Sequence, residues 1–365
     1  MKRINALDFR FKAPNVRGFF VPSFLPHEGF RMTFANLTYE QQIAQLKSAA
    51  ESILHHYGLT GAQVELLSYA NNAVFKVTVS PDVHYVLRVH RPGHKKVEWI
   101  FSELVWLTTL NEHSHVQVPH PIPTQNGAWL VGADVETLDA QLPCVLFQWI
   151  EGQFYTAADI SIDNVYQAAT FVAGLHEFSS TFKAPQGFTR PRLDSEGLFG
   201  EQSPYNPGEG ARIFTADQKL VFAAVEDRVR TVFNELDALP HSFGVIHADF
   251  LPKNFLFTPT GVAAIDFDDV SWGYYLYDLA PTLLLFKAES RYAELREAWL
   301  SGYASVRALP PRHADYLEAF MAARHLASCR WQAGHLHNPR IREHAAEVIA
   351  HRTEDLRRFL DTGSL

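Results

Sequence analysis

The chain has 365 residues, of which 47% are hydrophobic and 20% charged, and its formal net charge is −8. These fractions are typical of a folded globular protein long enough for two domains, and they exclude an intrinsically disordered chain. The acidic balance argues against a general nucleic-acid-binding protein, because such proteins hold phosphate backbones with basic surfaces.

The N-terminal residues carry few signals of regular structure. Residues 1–35 contain scattered prolines and phenylalanines, and we predict an irregular extension there. A helix is predicted to begin at Thr38, because Thr38 to Gln41 reads Thr-Tyr-Glu-Gln, which is a capping box. Gly58 is the expected end of this helix.

Short strands are predicted next. Ala73 to Val79 alternates apolar with polar residues, which is the period of a half-buried strand, and Tyr85 to His90 forms a second strand. Val97 to Asn111 has helical periodicity, and Cys144 to Trp149 is an apolar strand. We therefore predict a strand-rich N-terminal domain over residues 36–149.

The remainder, residues 150–365, is predicted to be mostly helical, so that the whole chain is α+β. Residues 180–214, rich in Pro, Gly and Ser, are predicted to form a long loop of the kind that often carries function. A hairpin is predicted from Phe255–Phe257 and Val262–Phe267 around a Pro-Thr-Gly turn. The helices are expected at Asp163–Phe178, Ala216–Leu236, Arg291–Tyr303, Asp315–Gln332 and Ile341–Leu360.

Cysteine usage and hydropathy indicate the compartment. Cys144 and Cys329 are the two cysteines, and without metal spacing or a disulfide framework they favour a reducing environment. The longest apolar run, Leu279 to Phe286, is too short to span a bilayer, and the N-terminus lacks the apolar core of a secretory signal. We therefore expect a cytoplasmic protein with no membrane association.

The strongest chemical signal is His247-x-Asp249-x-x-x-x-Asn254, with Asp266 following twelve residues later. Phosphoryl transfer needs a carboxylate to orient and deprotonate an acceptor hydroxyl, and oxygen ligands for Mg²⁺. The predicted hairpin folds Asp266 back to the end that carries Asn254. The pattern therefore predicts Asp249 as the base and Asn254 with Asp266 as the metal ligands.

The segment His247 to Asn254 resembles the catalytic loop of the aminoglycoside phosphotransferase family, and it is especially similar to that of type II homoserine kinases. Ile265 to Asp268 resembles the metal-binding segment of that family, and Tyr277 to Ala280 its Asp-Leu-Ala helix. The resemblance covers roughly residues 37–335. It implies a bilobal protein-kinase-like fold, with a small antiparallel-sheet N-lobe and a larger helical C-lobe that contains the catalytic loop and the acceptor pocket.

The resemblance also implies roles in the N-lobe. Arg88 matches the basic residue that contacts the α- and β-phosphates of ATP, and Glu103 its ion-pair partner. The loop over the phosphates, Ser68 to Ala73, contains no glycine, which puts its phosphate contacts in doubt, but Asn72 matches an Asn of the family. The nucleotide base is expected near the backbone of Gln148 and Trp149.

The sequence is least informative about the acceptor. Asp268 and Asp269 are candidates for contact with a second metal ion or a cationic substrate, or they are solvated loop carboxylates. Arg324 and Trp331 lie on a C-terminal helix of the kind that walls the acceptor pocket in related kinases, where the alternative is core packing. The acidic chain and these carboxylates favour an amine-bearing hydroxyl compound, such as an amino alcohol, an amino acid or an aminoglycoside-like sugar.

Two other functions remain open at this point. One is a Ser/Thr protein kinase of the stress-response type, although only twelve residues separate Asp266 from Asp278, where protein kinases place a long activation segment. The other is a catalytically silent nucleotide-binding module, supported only by the glycine-free phosphate loop. Neither the oligomeric state nor the preference between ATP and GTP follows from the sequence.

Overall fold

The computed structural model describes residue 34 and residues 37–69, 72–91, 95–135, 138, 141–336 and 338–365. They form two compact units. The first contains the described residues up to Glu112, together with Pro119–Ile150 and Lys183–Thr189; the second contains His113–Val118, Glu151–Phe182 and Arg190–Leu365. Apart from Phe34, which is buried, the predicted extension over residues 1–35 lies outside the described residues.

The first unit is built around an antiparallel sheet with the strand order β1-β2-β3-β6-β4, in which β5 also pairs with β6. Two helices accompany the sheet in the described part of this unit. The elements are α1 (Tyr39–Ser52), β1 (Gln63–Tyr69), β2 (Asn72–Ser80), β3 (Val83–His90), α2 (Val97–His113), β4 (Pro121–Ile122), β5 (Val131–Ala133) and β6 (Leu142–Gln148).

Helix α1 begins at the predicted capping box. The Thr38 hydroxyl accepts a hydrogen bond from the Gln41 amide at 3.3 Å, and the Gln41 side chain accepts one from the Thr38 amide at 2.9 Å. The helix ends earlier than predicted, because the Ser52 hydroxyl donates to the Ala49 carbonyl and a 3₁₀ turn, Leu54–Tyr57, follows. Gly58, with φ +72°, then ends that turn in the left-handed conformation.

The alternation predicted in β2 sorts its side chains by face. Ala73, Phe75 and Val77 are each fully buried in the core of the first unit. Val79 departs from the alternation and is 47% exposed, because the register with β3 shifts between Thr78 and Ser80.

The second unit carries the remaining helices and five short strands in its described residues. Helix α3 packs against α7, and α8 packs against α5, α6 and α9. The elements are α3 (Ile162–Ser179), β7 (Arg192–Leu193), α4 (Ser195–Phe199), α5 (Ala216–Asp237), β8 (Phe243–Ile246), β9 (Phe255–Thr258), β10 (Gly261–Ala264), β11 (Ser271–Tyr274), α6 (Tyr275–Phe286), α7 (Tyr292–Ala304), α8 (His313–Gly334) and α9 (Pro339–Thr362).

The strands of the second unit form two small sheets. β11 pairs antiparallel with β8 and parallel with β7, while β9 and β10 form the predicted hairpin. The second strand of that hairpin ends at Ala264, not at Phe267 as predicted, because Asp266 adopts the left-handed conformation with φ +61° and cannot continue a strand. A 3₁₀ turn, Phe267–Asp269, follows it.

The stretch 180–214 is not the unbroken loop that the sequence predicts. It contains β7, α4 and a 3₁₀ turn at Gly208–Ile213. The Asp194 side chain caps α4 by accepting from the Gly197 amide at 3.0 Å. This short helix was missed because five residues are too few to show a helical period.

No helix among the described ranges is both long enough and apolar enough to cross a membrane. Cys144 and Cys329 are buried free thiols. Burial raises the pKa of each thiol to about 12, so both stay protonated at neutral pH and act as small apolar core groups.

Candidate active site

A buried ion pair joins β3 and α2 in the first unit. Arg88 is 6% exposed and Glu103 is fully buried. Nη1 of Arg88 lies 2.7 Å from Oε1 and 3.0 Å from Oε2 of Glu103, and the guanidinium also lies 5.0 Å from the centre of the Phe147 ring. Because a buried charge is tolerated only when it is paired, this carboxylate sets the position of the guanidinium.

The strand end at Gln148 and Trp149, where the nucleotide base is expected, is partly occupied by contacts within the first unit. The Gln148 amide donates to the His120 carbonyl at 2.9 Å. The Trp149 ring lies 4.7 Å from the Lys76 ammonium and packs edge-on against the His84 ring. The backbone amide of Gln148 is therefore already hydrogen-bonded within the fold, and the Trp149 side chain packs against Lys76 and His84.

Asn72 opens β2, and its side chain is buried, with 8% exposure. Its Oδ1 has no hydrogen-bond partner among the described residues, which leaves a buried polar atom at the edge of the predicted phosphate loop. Residues 70 and 71 of that loop lie outside the described residues.

The loop after β8 in the second unit is the candidate catalytic loop, and the side chain of Asp278 holds its backbone in place. The Asp278 carboxylate accepts from the amides of His247 at 2.7 Å and Ala248 at 2.6 Å. Ala248 has φ +71°, a conformation that residues other than glycine rarely adopt. These bonds give Asp278 a structural role, because they hold the loop in that conformation.

His247 is a packing residue of the loop. It is fully buried, its Nε2 lies 3.0 Å from the Ile265 carbonyl, and its ring contacts the rings of Phe250 and Phe267. It thereby ties the loop to the segment that follows β10.

The two carboxylate oxygens of Asp249 make different contacts. Oδ1 lies 2.5 Å from Nη2 of Arg324, a residue of α8. Oδ2 lies 3.4 Å from both the Lys253 ammonium and the Asn254 amide nitrogen. The side chain is 14% exposed. One oxygen is therefore engaged in a short charge-assisted bond and the other has only long contacts.

Asn254 and Asp266 lie at the same end of the hairpin. Phe255 pairs with Ala264 in the register, and beyond them the Ile265 amide donates to the Asn254 carbonyl at 3.0 Å. The Asn254 side-chain nitrogen donates to the Asp249 carbonyl at 2.8 Å. This bond uses the nitrogen of the side-chain amide and leaves Oδ1 of Asn254 as its acceptor atom.

Asn254 and Asp266 suit a magnesium ion that takes most of its ligands from phosphate and water, rather than a metal ion held by protein side chains alone. Among the described residues, no group of three or more His, Cys, Asp or Glu side chains is arranged to hold a metal. One amide oxygen from Asn254 and one carboxylate from Asp266 are the oxygen donors that Mg²⁺ accepts when phosphates and water complete its shell. The residues present therefore fit that ion.

The two other aspartates of this segment differ in exposure. Asp268 is 6% exposed, and Asp269 is exposed. Arg190, itself buried, donates from Nη2 to the Asp268 carbonyl at 2.6 Å and from Nε to the Val270 carbonyl. Of the two, Asp269 is therefore the more exposed residue. No signal in the sequence pointed to Arg190.

Helix α8 presents Arg324 and Trp331 seven residues apart, which places them on one face two turns from each other. Arg324 reaches Asp249, whereas the Trp331 ring stacks on the ring of His335 at 4.2 Å. The structure thus connects Arg324 directly to the catalytic loop and shows Trp331 in a stacking contact.

Tyr205 interacts electrostatically with the candidate site, and no signal in the sequence pointed to it. Burial raises the pKa of its phenol far above the usual value; the nearby Tyr277 hydroxyl and the Asp269 and Asp249 carboxylates act in the same direction, and Arg324 opposes them. Tyr205 therefore lies within electrostatic reach of the candidate base. It belongs to the stretch 180–214, for which only the composition suggested a function.

Comparison with known proteins agrees with this geometry. Residues 63–316 match the model of the phosphotransferase enzyme family. Amicoumacin kinase of Bacillus subtilis (strain 168) is 24% identical over 289 residues, which cover 74% of this chain and 80% of that protein. Homoserine kinase of Caulobacter sp. (strain K31) is 29% identical over 227 residues, or 57% of this chain and 61% of that protein.

Solved structures show the same fold. A microcompartment-associated aminopropanol kinase superposes with a TM-score of 0.76 at 28% identity, covering 87% of this chain and 98% of that one. An amicoumacin kinase in complex with AMP-PNP and Ca²⁺ superposes with a TM-score of 0.69 at 17% identity, covering 87% and 94%. The predicted α+β kinase-like fold is confirmed.

Proposed function

Because the chain belongs to the phosphotransferase enzyme family, and is accordingly a small-molecule kinase, we propose that it transfers the γ-phosphate of ATP, with Mg²⁺, to the hydroxyl of an amine-bearing small molecule. The observation that carries this proposal is the arrangement of Asp249. One of its carboxylate oxygens is engaged by Arg324, and the other has only 3.4 Å contacts.

The first unit contributes the nucleotide site. Arg88 binds the α- and β-phosphates of ATP, and Glu103 orients its guanidinium. The support is the buried contact of Nη1 of Arg88 with both carboxylate oxygens of Glu103, at 2.7 and 3.0 Å. Guanidinium groups match phosphate geometry well, so a fixed Arg here suits a nucleotide. We assign Asn72 to the loop that covers the phosphates. The backbone at Gln148 and Trp149 is assigned to contact with the nucleotide base.

The second unit contributes the metal ligands and the catalytic base, Asp249. Asn254 and Asp266 hold Mg²⁺, which when bound shields the negative charge of the phosphates. The acceptor hydroxyl donates a hydrogen bond to Oδ2 of Asp249. As the bond from the acceptor oxygen to the γ-phosphorus forms and the bond from that phosphorus to the ADP oxygen breaks, Asp249 takes the hydroxyl proton.

The acceptor class is proposed from Asp269 and from aromatic side chains of the second unit. The exposed Asp269 favours an ammonium group, and the Tyr205 phenol adds aromatic surface of the kind that binds alkylammonium groups. Trp331, which stacks on His335, is kept as a candidate substrate contact. Asp268 is the weaker candidate because it is buried. The similarity to amicoumacin kinase, homoserine kinase and aminopropanol kinase supports an amino alcohol or a related compound.

The decisive variant is Asp249→Asn, which keeps the shape of the side chain and removes the base. We expect kcat to fall by about 10²- to 10⁴-fold, the usual contribution of general base catalysis, while ATP affinity measured by calorimetry stays within about twofold because the nucleotide site is in the first unit. The acceptors are a panel of amino alcohols, hydroxy amino acids and aminoglycosides. Asp227→Asn, an exposed position on α5, is the matched control, and undiminished turnover by Asp249→Asn would refute the assignment.

A protein substrate is the alternative acceptor. Between Asp266 and Asp278 the chain forms only the turn Phe267–Asp269, strand β11 and the start of α6, which leaves no length for a peptide-binding activation segment. Incubation with labelled ATP and a generic protein substrate, beside the small-molecule panel, separates the two. If the label enters only the protein substrate, the acceptor is a protein and the proposed small-molecule acceptor is refuted. The cytoplasmic location stays a prediction.

A further inference from the structure

Three polar side chains from three helices meet inside the second unit, behind the catalytic loop. They are His176 on α3, Asp278 on α6 and Tyr303 on α7, with exposures of 0, 0 and 2%. Nε2 of His176 lies 3.1 Å from Oδ2 of Asp278, and Nδ1 of His176 lies 3.0 Å from the Tyr303 hydroxyl. Three buried polar groups in one place need a specific reason, because each would destabilise the fold if left unpaired.

The chemistry of the partners determines the positions of the protons. An ionised carboxylate only accepts, so Nε2 of His176 carries the proton that it donates to Asp278. Burial lowers the pKa of the His176 imidazole, against the opposing effect of Asp278, so the ring is neutral and Nδ1 is an acceptor. The Tyr303 hydroxyl therefore donates to Nδ1 and selects this tautomer.

The chain of bonds continues from Asp278 to the catalytic loop. The same oxygen that accepts from His176 also accepts from the His247 amide at 2.7 Å, and the other oxygen accepts from the Ala248 amide at 2.6 Å. Ala248 has φ +71° and immediately precedes Asp249. The direction of the Asp249 side chain thus depends on an uncommon backbone conformation that the Asp278 carboxylate holds in place.

We propose that His176 and Tyr303 are positioning residues for the base Asp249, acting through Asp278. They touch neither acceptor nor nucleotide. They orient the Asp278 carboxylate so that it accepts both loop amides at once, and this keeps the Asp249 carboxylate directed at the acceptor hydroxyl. This inference rests on the proposed function of Asp249 as the base, and it extends the site to two helices that the motif does not include.

The test compares Tyr303→Phe, His176→Leu and His176→Gln with a matched control. Gln places an amide nitrogen near the imidazole Nε2 and can still donate to Asp278, whereas Leu cannot. The control is Tyr275→Phe, because Tyr275 packs on the same imidazole, with ring centres 4.8 Å apart, and its hydroxyl contacts Ser179 instead. Each protein is assayed for kcat per nucleotide-binding site, for the KM of ATP and for melting temperature.

We expect kcat to fall by about 10-fold in Tyr303→Phe and about 100-fold in His176→Leu, since a displacement of about 1 Å at a reacting group has effects of this size. His176→Gln should recover part of the loss. The KM of ATP should stay within about twofold in all variants, because only the proton-accepting group is displaced. The control should keep the wild-type kcat.

A merely structural role predicts a different result. If the variants melt at lower temperature but keep the wild-type kcat per nucleotide-binding site, the positioning role is overturned while the proposed kinase function stands. Should His176→Leu fail to fold, Tyr303→Phe decides the question alone, since it removes one oxygen atom. Absence of phosphate transfer by the wild-type protein would overturn both the proposed function and this inference.

Discussion

The guanidinium of Arg324 lies 2.5 Å from Oδ1 of Asp249, although the two residues are 75 positions apart in the chain. Nη1 of the same guanidinium lies 3.4 Å from the Ala248 carbonyl, so Arg324 contacts both the backbone and the side chain of the catalytic loop. A charge-assisted bond this short removes the rotational freedom of the carboxylate. It leaves Oδ2 as the oxygen that meets an acceptor.

Replacing Arg324 should therefore impair catalysis more than binding of the nucleotide. We expect Arg324→Gln to lower kcat by about 10- to 100-fold, because the base loses its fixed orientation, with little change in the KM of ATP. Arg324→Lys should recover only part, since a lysine ammonium cannot contact the carboxylate and the Ala248 carbonyl in the same fork geometry. Steady-state kinetics with saturating acceptor give the measurement.

Arg312, at the start of the same helix, is the matched control. It pairs with Glu235 at 2.9 Å on the exposed surface, where such pairs contribute little. Arg312→Gln should keep the wild-type kcat, and an equal loss in both variants would mean that helix α8 is disturbed as a whole rather than at Asp249.

Variants of the Arg88–Glu103 pair distinguish its contribution to stability from its contribution to nucleotide binding. Glu103→Ala leaves a buried guanidinium without this partner, so we expect unfolding to become easier by about 3 kcal/mol and the KM of ATP to rise. In the double variant Arg88→Met with Glu103→Leu, the stability should largely return because apolar groups fill the space. The affinity for ATP should not return. Chemical denaturation and calorimetry measure the two quantities.

Glu98→Ala, an exposed acid on the same helix, serves as the control and should change neither. Recovery of ATP affinity in the double variant would show that Arg88 has no role in holding the phosphates.

The His176 imidazole gives a pH dependence of stability with a definite sign. Burial lowers its pKa below the usual 6.5, so the folded chain keeps the ring neutral while the unfolded chain protonates it below that pH. The stabilisation is therefore complete above pH 6.5 and declines as the pH falls below it. Between about pH 7.5 and about pH 5.5 the wild type should lose about 1 kcal/mol more than His176→Gln.

Several charged groups surround this ring and are common to both proteins. Asp278 faces it from α6, Arg307 follows α7, and His247 lies in the catalytic loop. His325 also has a pKa lowered by burial. Because these groups are present in the wild type and in His176→Gln, the difference between the two isolates His176. Equal losses, measured by urea denaturation at the two pH values, would contradict the assignment.

Residues close together in the chain could be predicted as a site from the sequence. Asp249 and Asn254 lie within one loop, and a single hairpin returns Asp266 to the same end, so local turn chemistry was enough to group them. Arg88 and Glu103 lie on a strand and the helix after it. In each case the contact depends on short connections whose geometry follows from local sequence.

The tertiary structure alone decided which distant side chains support that site. Arg190 and Tyr205 come from a segment in which the sequence shows no chemical motif, and the sequence suggested Arg324 for the acceptor pocket but not for contact with Asp249. His176 and Tyr303 lie on helices that contain no residue of the motif. Their roles arise from packing between elements far apart in the chain, and the hydrophobic period that places such helices does not specify which polar group faces which. The sequence by itself therefore determined the family resemblance and the candidate reacting residues. Only the folded chain determined what orients the Asp249 carboxylate.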